Sequence, residues 1–352
     1  MRFSSPKSGT VEGMQTTVNP HAGKTAQAVS EVLNSHSGSS ATPKPVLLRV
    51  FDETSTAGED GASQSKERST PKDLEAIALV VGREAAGLVR RRRGELADDH
   101  GHIGVLATKT SEVDPVTEVD EASERLISQR LLEHVPGSRI LGEEGGFSGV
   151  SDELSSSDEV LWIVDPIDGT VNFLYGVPAY AVSIAAVING EPVAAVVVDV
   201  AAHVAYAAHA GGDARRLSYD DHGKLAQVET LRVVPEDSDG ALHKALVATG
   251  FSYVAEDRRS QAERLVRLLP KVRDIRRIGS AALDLCRVAS GEVDAYFEHG
   301  LGPWDHAAGC LIAARAGAIS VAPDYDVMKE EKALVMAVKP GIAVELARLL
   351  GE

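Results

Sequence analysis

Two aspartates three residues apart, in the segment 162–173 (WIVDPIDGTVNF), are the residues of this sequence best suited to chemistry. An apolar run leads into Asp165, and the proline after it cannot donate a ladder hydrogen bond, so a strand is expected to end there. Asp168 and Gly169 favour a tight turn, and Thr170 is expected to begin a short helix. Two carboxylates on one turn can bind neighbouring cations, and amides at a helix start can hold a phosphate. Asp-Gly alone is ordinary turn chemistry, but the full segment is more specific and is compatible with a site for metal ions and a phosphate group.

Three further segments accompany this one: 114–120 (DPVTEVD), 142–144 (GEE) and 304–309 (WDHAAG). Together with 162–173, in this order and with this spacing, they make the sequence resemble the inositol monophosphatase family, part of the lithium-sensitive Mg²⁺ phosphatases. The resemblance extends over roughly residues 72–350. It implies an α/β (α+β) fold, a layered αβαβα sandwich of the inositol monophosphatase/fructose bisphosphatase type. It also implies a homodimer and inhibition by lithium.

The resemblance assigns roles to individual residues. It implies that five residues bind two Mg²⁺ ions, one of them through a backbone carbonyl: Glu143, Asp165, Ile167, Asp168 and Asp305. It implies that three residues activate the attacking water: Asp120, Glu143 and Thr170. It implies that eight residues bind the substrate: Asp168, Gly169, Thr170, Gly279, Ser280, Ala281, Glu298 and Asp305. An alternative role for Asp120 is to cap the helix that begins there.

Elementary electrostatics supports a cation site among the acids of this set. Two carboxylates about 4 Å apart repel each other by about 4 kcal/mol at an effective dielectric constant of about 20. Several that converge must therefore be neutralised by cations or by protons. Oxygen ligands favour Mg²⁺ over Zn²⁺, and two such ions can stabilise both oxygens of an in-line displacement. Because no Cys, Ser or His stands in a recognisable nucleophile motif, direct attack by an activated water is predicted.

The substrate is predicted from the C-terminal half of the chain. The segment 276–282 (RRIGSAA) resembles the family loop that approaches the sugar ring, and Glu298 matches the acid that accepts hydrogen bonds from ring hydroxyls. Both features favour inositol monophosphate. Histidinol phosphate, and a dual specificity for inositol phosphate and fructose 1,6-bisphosphate, are the alternatives. A regulatory protein that binds RNA or the transcription machinery is the alternative from another class.

Composition limits the classes of protein that fit. The 352 residues carry a net charge of −16, and all of it falls after residue 71, because the first 71 residues hold seven basic and seven acidic residues. So acidic a body is a poor nonspecific nucleic-acid binder. The basic run Arg90–Arg93 suits a helix C-terminus, which favours cations. Two cysteines exclude a disulfide scaffold, no run of about 20 apolar residues predicts a membrane helix, and a cytoplasmic protein is expected.

The elements that position these residues can be predicted from periodicity and caps. Residues 1–71 are rich in Ser, Thr, Gly and Ala and are expected to be largely disordered. An α+β sub-domain with most of the metal ligands is predicted over 72–215, and an α/β sub-domain with the specificity residues over 216–352. A polar, glycine-containing hinge is predicted at 211–225. Helices are predicted after Thr70 and from about 120, followed by a β-meander and then by alternating strands and helices.

Overall fold

The computed structural model describes the backbone of strand β1 and residues 69–99, 101, 103, 107–108, 115–148, 159–233, 241–325 and 333–351. The helices are α1 (Pro71–Leu96), α2 (Glu118–His134), α3 (Thr170–Tyr175), α4 (Ala255–Leu268), α5 (Ala281–Ser290), α6 (Pro303–Ala316) and α7 (Ala343–Gly351). Short 3₁₀ turns lie at Leu242–Lys244, Leu269–Lys271 and Pro340–Ile342. Among the described helices, none combines the length and the apolar character that crossing a membrane requires.

Within the described residues, the first sheet has eight strands in the order β11-β10-β9-β8-β7-β6-β4-β5, and the one parallel pair among them is β4 with β6. These strands are β4 (Arg139–Gly142), β5 (Gly146–Ser148), β6 (Leu161–Asp168), β7 (Ala181–Ile188), β8 (Glu191–Asp199), β9 (Val204–His209), β10 (Arg215–Tyr219) and β11 (Leu225–Thr230). Strands β7, β8 and β9 form the predicted meander. A separate two-stranded ribbon pairs β2 (Ala107–Thr108) with β3 (Pro115–Val116).

The second sheet has six strands in the order β1-β15-β16-β14-β12-β13. These are β1 (Val46–Val50), β12 (Leu246–Thr249), β13 (Asp274–Arg276), β14 (Ala295–His299), β15 (Ile319–Pro323) and β16 (Leu334–Val338). Helices α5 and α6 lie between the two sheets and share one apolar core with both. Helices α1 and α2 cover the outer face of the first sheet, and α4 and α7 cover the outer face of the second. The predicted αβαβα layering is confirmed.

Helix α1 begins as its sequence predicts. The Thr70 hydroxyl accepts a hydrogen bond from the Asp73 backbone amide, and the Asp73 carboxylate accepts one from the Thr70 amide at 2.9 Å. This capping box satisfies amides that have no partner inside the helix. The buried positions Leu74, Ala78 and Val81 then recur at helical spacing and face the first sheet. The pattern therefore fixes both the start of α1 and the side that it buries.

The basic run at the end of α1 is engaged within the protein. The Arg90 guanidinium donates to the Val200 carbonyl at 3.0 Å, and Arg93 donates to the carbonyl of Gly101 at 2.6 Å. Arg92 pairs with the acid Glu118 at the start of α2. Because these arginines already have partners, the run fastens the end of α1 to its neighbours, as the helix-end interpretation predicts.

The structure differs from two predictions about chain organisation. Strands β10 and β11 extend the first sheet to Thr230, so residues 216–230 belong with that sheet, and the segment 211–225 is largely a β-hairpin. Strand β1 pairs in parallel with β15, so Val46–Val50 forms a strand within the segment that is expected to be largely disordered. The rest of the N-terminal segment before residue 69 lies outside the described residues.

Two truncations separate the parts of the N-terminal segment. Deleting residues 1–45 keeps β1, and we expect the phosphatase activity that the resemblance implies to stay within about twofold in kcat/KM, the scale of ordinary surface changes. Deleting residues 1–69 also removes β1 and leaves β15 as an unpaired edge, which favours aggregation. We therefore expect similar kcat/KM but a lower unfolding temperature for the longer deletion. Loss of activity in a folded protein that lacks only residues 1–45 would contradict this prediction.

Candidate active site

The C-terminal end of strand β6 brings two of the predicted ligands together. Its pairing with β7 shifts in register between Asp165 and Asp168, where the proline interrupts the ladder. One Asp165 carboxylate oxygen accepts a hydrogen bond from the Ile167 amide at 2.9 Å, which fixes the side chain against its own backbone. Both aspartates are buried, at 1% and 7% exposure. The strand therefore delivers two carboxylates to one edge of the sheet.

Gly169 connects β6 to α3 in a conformation that only glycine adopts readily. Its φ is 97°, in the left-handed region. A Cβ atom there would lie 3.0 Å from the carbonyl oxygens of both Ala179 and Gly279. The turn is thus sandwiched between two backbone segments, and helix α3 begins directly after it, as predicted.

Asp305 completes an acidic cluster from the other side of the cleft. Asp165, Asp168 and Asp305 each offer a carboxylate oxygen, and these oxygens lie within 4.8 Å of one another. Asp305 stands in the first turn of α6, where it accepts a hydrogen bond from the Gly302 amide at 2.7 Å. Burial, together with the charges of Glu143 and Asp168, raises the pKa of Asp305 well above its ordinary value. Such crowding favours a bound cation.

Asp168 also bonds to the start of helix α5. Its carboxylate accepts hydrogen bonds from the Ser280 hydroxyl at 2.5 Å, the Ala282 amide at 2.7 Å and the Ala281 amide at 3.3 Å. Burial raises the pKa of Asp168 to about 6, although these hydrogen bonds oppose the shift. Two residues predicted to bind substrate, Ser280 and Ala281, are therefore also partners of a predicted metal ligand.

Asp120 lies behind Thr170 at the base of the cluster. The Thr170 hydroxyl lies 3.2 Å from an Asp120 carboxylate oxygen and 3.1 Å from the Ile167 carbonyl oxygen, and it can donate to either. The other Asp120 oxygen accepts from the Thr117 amide at 2.9 Å in the capping box of α2. Asp120 is the third residue of the helix, not its N-cap, and it serves the cap and the cluster at once.

One cleft of about 530 Å³ contains the predicted site. Every predicted site residue except Asp120 lines it: Glu143, Asp165, Ile167, Asp168, Gly169, Thr170, Gly279, Ser280, Ala281, Glu298 and Asp305. Glu143 is half-buried and follows strand β4, and its amide donates to the Val164 carbonyl at 3.2 Å. Residues that are widely separated in the sequence, from Glu143 to Asp305, therefore line one concave surface. Of the segment 114–120, only residue 114 lies outside the described residues.

Glu298 also lines the cleft, near the end of β14. One of its carboxylate oxygens accepts a hydrogen bond from the Tyr296 hydroxyl at 2.7 Å. Burial raises the pKa of Glu298 to about 7. A Cβ atom on Gly250 would overlap this carboxylate, so the glycine makes the space that Glu298 occupies.

Sequence reasoning gave no role to three charged residues beside the site. Glu124 and Asp284 are buried acids, and burial raises the pKa of Asp284 to about 7. Arg277 is exposed at the rim of the cleft, with its guanidinium 6.0 Å from the centre of the Phe251 ring. A signal existed for both acids, because each falls on the buried face of its helix, where an acid needs a partner.

Comparison with known proteins decides the family. The inositol monophosphatase family matches this chain over residues 71–349. The chain belongs to the inositol monophosphatase family. The resemblance inferred from the four motifs is thereby confirmed.

Relatives within the family carry two kinds of name. "Inositol-1-monophosphatase SuhB" of Mycobacterium tuberculosis is 48% identical over 286 residues, which cover 80% of this chain and 94% of the relative. "Nus factor SuhB" of Escherichia coli is 37% identical over 245 residues, covering 69% and 82%. The solved structure of Mycobacterium tuberculosis SuhB covers 80% of this chain and 97% of its own, with 44% identity and a TM-score of 0.63.

Proposed function

We propose that this protein hydrolyses a small phosphate monoester with Mg²⁺ as the metal, and that inositol monophosphate is its substrate. The observation that carries the proposal is the acidic cluster of Asp165, Asp168 and Asp305 in a cleft beside the turn at Gly169. Family membership supports a phosphatase. Glu298, which lines the same cleft, supports a substrate with ring hydroxyls.

The chemistry of the donor set fits Mg²⁺. The candidate ligands are carboxylate oxygens and one backbone carbonyl, which hard cations prefer. Burial, together with the charges of Glu143 and Asp168, raises the pKa of Asp305 and so disfavours its charged form, and a divalent cation would reverse that preference. Bound Mg²⁺ would supply Lewis-acid activation of the water and charge stabilisation at the phosphate. The residues that would hold it are Glu143, Asp165, Ile167, Asp168 and Asp305.

The remaining residues of the site position the reactants. The Thr170 hydroxyl lies within hydrogen-bonding distance of the Asp120 carboxylate, so an attacking water beside Thr170 would pass its proton toward the Asp120 Oδ1 atom. The backbone amides of Gly169 and Thr170 would donate to phosphate oxygens. Glu298 would accept a hydrogen bond from a substrate hydroxyl. Each role uses an atom at or directly beside the cleft.

Phosphate release from inositol 1-phosphate tests the proposal directly. We expect turnover with Mg²⁺, none in EDTA, recovery when Mg²⁺ is restored, and inhibition by millimolar LiCl. Retained turnover in EDTA would contradict the metal mechanism. A higher kcat/KM for histidinol phosphate than for inositol 1-phosphate would contradict the proposed substrate.

The homodimer and the cytoplasmic location stay predictions, and light scattering on the purified chain tests the oligomeric state.

A second candidate, dual action on fructose 1,6-bisphosphate, is favoured by Arg277. No carboxylate of the described residues lies within ion-pairing distance of its guanidinium, although it borders an acidic cleft. A cation at this rim can bind a second phosphate of the substrate. A Cβ atom on Gly279 would lie 2.5 Å from the Arg277 guanidinium, so the glycine lets the arginine lie over this loop.

Replacing Arg277 separates the two substrates. We expect Arg277→Gln to lower kcat/KM for fructose 1,6-bisphosphate by about tenfold, the low end for a lost hydrogen bond to a charged group, and to spare inositol 1-phosphate. Arg276→Gln is the matched control, because Arg276 pairs with Asp274 at 2.6 Å on the surface outside the cleft. Equal effects of the two variants on the bisphosphate would remove the support for dual action.

A further inference from the structure

Glu124 is a buried acid on helix α2 that faces the turn carrying Glu143. Its side chain lies one helical turn after Asp120, and the residue is 8% exposed. One of its carboxylate oxygens accepts a hydrogen bond from the Glu144 amide and the other from the Gly145 amide, each at 2.8 Å. Both oxygens of a charged group are therefore used to hold the backbone immediately after Glu143.

Two glycines make this contact sterically possible. A Cβ atom on Gly142 would lie 2.5 Å from the Glu124 carboxylate carbon, and one on Gly145 would lie 2.8 Å from a carboxylate oxygen. Neither glycine has a positive φ, so the backbone conformation itself does not call for glycine at either position. The glycines on both sides of Glu143 are explained by the approach of Glu124.

The same face of α2 reaches the other segments of the site. Asp120, Ser123 and Glu124 follow the spacing that places side chains on one side of a helix. The Ser123 hydroxyl donates to the Pro166 carbonyl at 3.2 Å, and Asp120 accepts from Thr170. One helix thus contacts the end of β6, the start of α3 and the turn after β4, which together carry most of the candidate ligands.

We infer that Glu124 is a positioning residue, which holds the turn after β4 so that the Glu143 side chain points into the cleft and toward the metal. The inference rests on the proposed metal-dependent function and adds a residue that does not itself line the cleft. Outer partners of metal ligands typically contribute about 10- to 100-fold to metal affinity. Loss of Glu124 should therefore weaken Mg²⁺ binding more than it weakens the fold.

Calorimetric titration of the full chain with Mg²⁺, without substrate, tests this. Glu124→Gln keeps the shape but can accept only one of the two amides, and we expect a Kd about tenfold weaker. Gly145→Ala leaves Glu124 in the sequence but adds a Cβ atom that displaces its carboxylate, so this variant should also bind Mg²⁺ more weakly. Glu121→Gln is the matched control, because it removes an exposed charge from the same helix and should leave the Kd unchanged.

Turnover as a function of Mg²⁺ separates positioning from folding. For a positioning residue, kcat at saturating Mg²⁺ should recover to within about threefold of the wild type, because added ion compensates for weaker binding. A low kcat that no Mg²⁺ concentration restores would overturn the inference, as would an unchanged Kd in both Glu124→Gln and Gly145→Ala. Failure of the wild-type protein to bind Mg²⁺ would instead refute the proposed function itself.

Discussion

Asp165→Asn is expected to lower kcat/KM for phosphate release by at least about 10³-fold. Asp165 is one of the residues that the proposal assigns to the metal, and a carboxylate oxygen of Asp165 lies within 4.8 Å of carboxylate oxygens of Asp168 and Asp305. Metal activation of a reacting phosphate contributes several kcal/mol, and each 1.4 kcal/mol corresponds to a factor of ten. An amide oxygen is a weaker ligand than a carboxylate, and it carries no charge. Phosphate release at saturating Mg²⁺ is the measurement.

The control for this prediction is Asp221→Asn. Asp221 is an exposed turn residue far along the chain from the cluster, so its loss removes the same charge without touching the cleft. We expect its activity to match the wild type.

In EDTA the Asp165→Asn protein should unfold at a higher temperature than the wild type, because the substitution removes one negative charge from a cluster of buried carboxylates that repel one another. Mg²⁺-dependent turnover in Asp165→Asn near the wild-type level would refute the assigned metal site.

Glu298→Gln is expected to discriminate between substrates. The lost interaction is a hydrogen bond from a ring hydroxyl to a carboxylate, which typically contributes about 1.5–3 kcal/mol, or about 10- to 150-fold in kcat/KM. The Tyr296 hydroxyl already donates to one oxygen of this group, so in the glutamine variant the carbonyl would keep that bond and the amide would face the cleft. An amide NH₂ cannot accept the substrate's hydrogen bond.

The reference substrate for Glu298→Gln is p-nitrophenyl phosphate, which has no ring hydroxyls. Its kcat/KM should stay within about threefold of the wild type, since this substrate makes no such hydrogen bond. Tyr296→Phe supplies a structural control, because it removes the neighbour of Glu298 and keeps the carboxylate. Equal losses for both substrates in a well-folded Glu298→Gln protein would remove the main argument for inositol phosphate.

The sequence predicted elements whose pattern is local. Helix α1 follows from the Thr70 cap and a buried stripe, and β7 and β8 follow from long apolar runs. It did not predict β11, because all six residues of Leu225–Thr230 are exposed and show no alternation. Strand β1 was missed for another reason. Its pairing joins Val46 to Ile319, and nothing in the composition around Val46 specifies so distant a partner.

The candidate site also combines features that the local sequence predicts with features that depend on distant parts of the chain. The Asp165–Thr170 turn could be predicted because the ligands and the amides lie within six residues. The bonds between Asp168 and Ser280 could not, because 112 residues separate them and both have ordinary local roles, as turn and helix-cap residues. The position of Glu124 on the buried face of its helix indicates that it needs a partner, but the partners are backbone amides, which the sequence does not identify. The motifs therefore identify the ligands, but they do not identify the contacts with distant parts of the chain that hold those ligands in place.

The acidic cluster also bears on how the chain folds. Asp165 ends a strand of the first sheet, whereas Asp305 opens helix α6, 140 positions later in the sequence. Closing so long a loop is a late and slow event, because its entropy is lost before the contact forms. No tight cation site can exist until both sheets have docked through α5 and α6. An ion that binds only after the sheets have docked stabilises the native state but not the folding transition state. Mg²⁺ should therefore slow unfolding and leave the refolding rate nearly unchanged.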